Sequence, residues 1–118
     1  MIKKIYLDMD GVLCNFEKRF IERYGAGSMG MRDRKNFTEN WPDFIKTEQF
    51  KTLDWFPGAK ELLELIEQYD VEVEILSSSG GEKFHSEVTM QKITWLCNNG
   101  IPYKANIVPG RKHKAEYA

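Results

Sequence analysis

The sequence predicts an α/β fold, a parallel sheet of three visible strands with helices packed on it and one small helical insertion. Three observations predict it. Strand-like apolar runs alternate with helical stretches, and alternating βα units build parallel sheets. Each strand-like run breaks off into a polar or glycine-bearing loop: Asp8 to Gly11, Ser77 to Gly81, and Pro109 to Lys114. A parallel sheet gathers such loops beyond the carboxyl ends of its strands, where these sheets bind ligands. Finally, the aromatic-rich stretch from Phe37 to Phe56 reads as a helical insertion between the first two units.

The elements follow in order. Ile2 to Leu7 is a buried strand, with Ile5, Tyr6 and Leu7 contiguous. Phe16, Phe20 and Tyr24 recur every four residues, the stripe of an amphipathic helix, and Gly25 is its natural stop. The glycine-rich run "GAGSMGMRDRKN" is a loop or hinge. Pro42 suits the first turn of a short helix, since its missing N–H costs nothing there. A further helix opens at Pro57-Gly58, with Leu62, Leu63, Ile66 and Tyr69 on one face. Val71, Val73 and Ile75 alternate with Glu72 and Glu74, which is strand periodicity. The next helix places Met90, Ile93, Leu96 and Cys97 on one face and is capped at Asn99-Gly100. "NIVPG" is a short third strand, and a helix begins in "RKHKAEYA".

Length and composition narrow the function. The 118 residues suit one domain, its core formed by residues 1–16 and 57–118 and its insertion by about 17–56. A composition 42% hydrophobic and 30% charged is that of a globular chain. Seventeen basic residues against eighteen acidic ones give a net charge of -1, which argues against extended nucleic-acid or anionic-membrane binding. The N-terminus runs directly into "KKIYLD" without an apolar leader, and no run is long enough to span a bilayer. A cytoplasmic location is therefore expected, with Cys14 and Cys97 as small buried apolar groups in a reducing compartment.

Asp8 and Asp10 carry the sharpest chemistry. Residues two apart on an extended chain face one side, so both carboxylates can approach one ligand. Their repulsion is relieved by a hard cation such as Mg²⁺, which binds carboxylates together with phosphate oxygens. Protonation of one carboxylate under the influence of the other relieves it equally. Gly11 follows directly, which leaves no room for the third ligand of a calcium loop. The "SSSGG" run is either a flexible connector or, from its place at a strand end, a phosphate loop. His85 and His113 match no metal-ligand spacing and are expected at the surface.

"LDMDGVL" resembles the first motif of the haloacid-dehalogenase-like (HAD) phosphohydrolases. "ILSSSG" resembles their second, a Ser or Thr ending a strand, and "VPGRKHKAEYA" their third, which supplies a lysine. The insertion stands where that family carries a small helical cap. With "WFPGAKELLELI", the whole is most similar to the 5'(3')-deoxyribonucleotidase-like branch. The resemblance implies a Rossmann-like HAD core and a Mg²⁺-dependent phosphatase acting on a small phosphorylated substrate, a nucleotide by the branch.

By the same resemblance Asp8 is the nucleophile, forming an aspartyl-phosphate, and Asp10 is the general acid and base. Asp8 and Asp10 hold Mg²⁺, Asp10 through its main-chain carbonyl. Ser77, with loop amides of Ser78 and Ser79, binds phosphate. Both Lys112 and Lys114 qualify as the third-motif lysine, and the family's usual placement at the start of a helix favours Lys114. Trp41 and Phe44 are candidates to stack on a nucleobase or to belong to the core. The family's fourth motif, an acidic pair beyond the third, has no counterpart here, since Asp54 lies in the insertion and Asp70 at the wrong end of a strand. The expectation is a sheet edge beside the first strand that pairs with another copy or a partner chain. The alternative function is a truncated or split non-catalytic chain that binds phosphate or such a partner.

Overall fold

A computed structural model describes residues 4–25, 34–114 and 116. Its sheet has strands β1 (Lys4–Leu7), β2 (Glu72–Ser78) and β3 (Lys104–Val108), parallel and in the order β1-β2-β3. Leu7 stands opposite Ile75, and Ser77 opposite Ile107, so the strand ends that carry the polar loops lie side by side. The helices are α1 (Phe16–Tyr24), α2 (Arg34–Lys46), α3 (Ala59–Glu67), α4 (His85–Asn98) and the short α5 (Arg111–Lys114). A 3-10 turn spans Gln49–Thr52. No helix among the described residues is long and apolar enough to cross a membrane.

After β1 the chain turns back at once. The Met9 carbonyl accepts from the N–H groups of Val12, Leu13 and Cys14, at 3.1, 2.8 and 3.0 Å. Gly11 takes the positive φ of 79° that this tight turn requires. The turn buries Met9, Leu13 and Cys14 while leaving Asp8 and Asp10 partly exposed. Asn15 then caps α1, its side chain accepting from the Lys18 N–H at 3.2 Å. The segment that leaves at Asn15 returns beside it, since Asn15 N–H donates to Asp54 O and Phe56 N–H to Leu13 O, each at 2.8 Å.

Between these points six rings pack together. Phe16 lies 4.9 Å from Phe44 and 5.6 Å from Phe50 between centroids, with Phe20, Phe37 and Trp41 around them. Helix α4 fastens this cluster to the sheet. Buried Gln91 donates to Ile45 O at 2.8 Å and accepts from Phe50 N–H at 3.3 Å, and the Trp95 indole donates to Leu53 O at 2.8 Å. Tyr24 and Arg23 both reach Asp43 and so tie α1 to α2.

Several local expectations change. Residues 26–33 of the glycine-rich run lie outside the described residues, and α2 already begins at Arg34. Pro42 stands inside α2 rather than in its first turn. Tyr69 falls past the end of α3 and is 63% exposed. The buried face of α4 is Val88, Gln91, Lys92, Trp95 and Leu96, whereas Met90, Ile93 and Cys97 face outward. Cys97 is thus exposed, and only Cys14 is the buried thiol expected. Glu74, on an alternating strand, is buried because Asn106 and Lys4 satisfy its carboxylate at 2.8 and 3.0 Å.

Candidate active site

The two loop carboxylates each meet a lysine. Lys114, in α5, donates to Asp8 Oδ2 at 2.9 Å, and Asp8 Oδ1 accepts from the Met9 N–H at 2.7 Å. Lys92, from α4, donates to Asp10 Oδ2 at 3.0 Å, Ser77 Oγ at 2.7 Å and Ser78 O at 2.8 Å. These three acceptors suit the three hydrogens of an ammonium, which is how Lys92 tolerates an exposure of 1%. The Phe50 ring faces the same ammonium at 5.2 Å. On the other side of Asp10, the Cys14 thiol donates to Oδ1 at 3.5 Å. Burial raises the pKa of this thiol, and the Asp10 charge raises it further, so Cys14 stays a protonated donor.

Repulsion between Asp8 and Asp10 is therefore met by two protein cations. The oxygen-only donors of this turn also suit a hard cation that shares its shell with a phosphate, although among the described residues no group of three or more His, Cys, Asp or Glu converges on a metal position. The chemistry of the donor set thus fits Mg²⁺ bound in part through its substrate.

A pocket of about 170 Å³ opens at Asp10. It is lined by Asp10 and Ser78 together with the rings of Phe16, Phe37, Trp41 and Phe50. Gly80 also lines it, with φ of 84° and its backbone against the Trp41 indole; a Cβ there would lie 2.7 Å from the ring. One cavity is thus lined both by polar groups and by aromatic rings.

The structure brings Asp10, Ser77 and Ser78 together around Lys92, joins Asp8 to Lys114, and places Trp41 on the pocket wall. It sets Phe44 and Ser79 apart, and Ser77, fully buried with its hydroxyl on Lys92, does not line the cavity. Phe44 is wholly buried among Phe16, Phe20 and Phe50 and has no surface to offer a ligand. The Ser79 N–H is engaged by Val108 O at 2.8 Å, and its hydroxyl faces Gly81 O and His85, so neither group is open to a phosphate. His85, expected at the surface, is half-buried in that contact. Lys112 is exposed, and the ion pair with Asp8 belongs to Lys114.

Sequence reasoning missed Lys92. Its signal was present: Val88, Trp95 and Leu96 are spaced as a helical stripe whose middle positions, 91 and 92, are Gln and Lys. Polar residues in the centre of an apolar stripe are a sign of buried polar contacts.

A family model described as 5' nucleotidase, deoxy (pyrimidine), cytosolic type C, matches residues 1–116. No match was found among curated proteins or among solved structures. The match spans nearly the whole chain, and the chain belongs to this HAD-like nucleotidase family.

Proposed function

We propose, with that membership as premise, that the chain is a cytoplasmic Mg²⁺-dependent phosphatase of (deoxy)nucleoside monophosphates that works through an aspartyl-phosphate. The observation that carries this reading is the shared cavity, lined by Asp10 and Ser78 together with the rings of Phe16, Phe37, Trp41 and Phe50. A substrate that joins a phosphate to a flat base matches that mixed lining, since rings accept a base by stacking. The segment over about 17–56 is read as the cap that supplies the ring wall.

In the first half-reaction an Asp8 carboxylate oxygen attacks phosphorus and the phosphorus–oxygen bond to the nucleoside breaks. Asp10 gives a proton to the departing oxygen, held in place by Lys92 on one carboxylate oxygen and Cys14 on the other. In the second, Asp10 takes a proton from water, which displaces phosphate from Asp8. Lys114, next to Asp8, offsets the negative charge brought by the substrate. Ser78 lies beside Asp10 in the pocket lining and is read as a phosphate contact, whereas Ser77 is fully buried and acts through Lys92. A Mg²⁺ held by Asp8 and the Asp10 main-chain carbonyl would add charge neutralisation at the phosphate. Among the described residues no strand pairs with the outer edge of β1, and we read that edge as the place where a further strand, from a second copy or a partner chain, extends the sheet.

The test is phosphate release from a deoxynucleoside monophosphate with Mg²⁺ present. The chain is expected to turn over, Asp8→Asn to abolish turnover with the fold intact, and Asp10→Asn to slow it by about 10²- to 10⁴-fold. Wild-type rates in Asp8→Asn would sink the mechanism.

A further inference from the structure

The second side chain that α4 extends to the serine loop is His85, and its partner is a hydroxyl that no substrate reaches. Ser79 is 1% exposed, and its Oγ lies 2.7 Å from His85 Nδ1 and 3.1 Å from Gly81 O. A hydroxyl has one proton, and a carbonyl can only accept. Both contacts are hydrogen bonds together in a single arrangement: His85 Nδ1–H donates to Ser79 Oγ, and Ser79 Oγ–H donates to Gly81 O. Ser79 N–H is meanwhile fixed to Val108 O, at the end of β3. The next residue, Gly80, donates its N–H to Ser78 Oγ at 3.1 Å and carries the Trp41 indole on its backbone.

His85 and Lys92 are seven residues apart, two helical turns, and so lie along one side of α4. From that side the helix holds three consecutive serines: Lys92 takes Ser77 Oγ and Ser78 O, and His85 takes Ser79 Oγ. We infer that His85 is a positioning residue, which through Ser79 fixes the backbone of residues 78–81 and thereby the seat of Gly80 against Trp41 in the pocket lining. The inference rests on the reading of this pocket as the substrate site. It concerns binding rather than bond-breaking, because the His85 ring bonds to Ser79 and not to Asp8 or Asp10.

The experiment uses the full chain with His85→Ala, His85→Asn, Ser79→Ala and the Ser79→Ala/His85→Ala double variant. An asparagine amide N–H stands near the place of Nδ1, so His85→Asn preserves the donor. Two readouts are taken: amide hydrogen exchange across residues 78–81, and KM and kcat for a deoxynucleoside monophosphate. His85→Ala is expected to speed exchange at Ser79 and Gly80 and raise KM about tenfold, the worth of one hydrogen bond, with kcat within about threefold. His85→Asn should restore both values, and the double variant should match either alanine variant alone. Unchanged exchange and KM in His85→Ala would overturn the inference, as would an asparagine variant no better than alanine. If the unmodified chain hydrolyses no nucleotide, the proposed function fails, and the exchange comparison alone decides whether His85 holds the loop.

Discussion

Lys92 and Lys114 each hold one of the two loop carboxylates, but in opposite surroundings. The Lys92 side chain is 1% exposed and divided among Asp10, Ser77 and Ser78, whereas Lys114 is 25% exposed and has Asp8. A buried ammonium tolerates its position only while every hydrogen is met, so Lys92 is bound into the fold as firmly as into the site. A partly solvated one exchanges protein for water at little cost and is available to an incoming anion. The difference separates a cation locked into the fold from one left partly open to solvent.

The sharpest way to break this contrast is to remove each charge in turn. Lys92→Met leaves Asp10, Ser77 and Ser78 without their donor, and the loss of one partner from a buried pair costs about 3–5 kcal/mol. Because Asp10 keeps 35% of its side-chain surface in water, the low end, about 3 kcal/mol, is expected in urea unfolding. Lys114→Met should lower stability by less than about 1 kcal/mol, as for other solvated pairs. Its effect belongs on the rate, a fall of about 10²-fold in kcat by analogy with other single charge-stabilising groups. Equal stability losses in the two variants would erase the distinction.

The ring wall sharpens the same contrast between lining and framework. Trp41→Ala should raise KM for nucleotides by about tenfold while leaving a small phosphomonoester little changed, since a stacked base is worth ~1–3 kcal/mol. Phe44→Ala should instead show itself in unfolding, because that ring is wholly buried. Parallel KM effects in both would place the base elsewhere.

A third lysine–carboxylate pair, Lys4 with Glu74, lies away from the site and gives the smallest effect. Glu74 and Ser77 are three residues apart on β2, so they face opposite sides of the sheet. The Asn106 amide, then Lys4, hold the Glu74 pKa below its ordinary 4.5. A folded-state pKa that is lowered makes the contribution complete above the ordinary value and removes it as pH falls through the folded value. Thermal midpoints should thus fall below about pH 4.5 in the wild type, and less steeply in Glu74→Gln. Identical acid limbs would show that Asn106 and Lys4 leave the Glu74 titration where it is in the unfolded chain.

Much of this arrangement was legible from residue order. That the loops Asp8 to Gly11, Ser77 to Gly81 and Pro109 to Lys114 meet follows from alternation alone, because a parallel sheet must gather them, and Gly25 and Asn99 end helices as their geometry predicts. What escaped was side-chain direction inside helices. Met90, Ile93 and Cys97 are spaced as well as Val88, Trp95 and Leu96 for one face, and hydrophobicity alone picks the wrong set because Gln91 and Lys92 interrupt the right one. Ser79 shows a similar limit: three adjacent serines are chemically alike, and only tertiary contacts turn Ser79 to His85 while Lys92 takes Ser77. Pro42 misled because its place in a first turn is a preference that the surrounding aromatic packing overrides.

The central claim is that Asp8 carries the phosphoryl group in transit, and it can be read directly. The chain is mixed with a deoxynucleoside monophosphate labelled in its phosphate, with Mg²⁺, quenched in acid within the first turnover, and digested for peptide mass analysis. The account predicts one phosphate on the peptide that contains Asp8, labile to hydroxylamine as an acyl phosphate is, and none in Asp8→Asn. Turnover that proceeds with no phosphate on Asp8, or with the phosphate on another side chain, would contradict it.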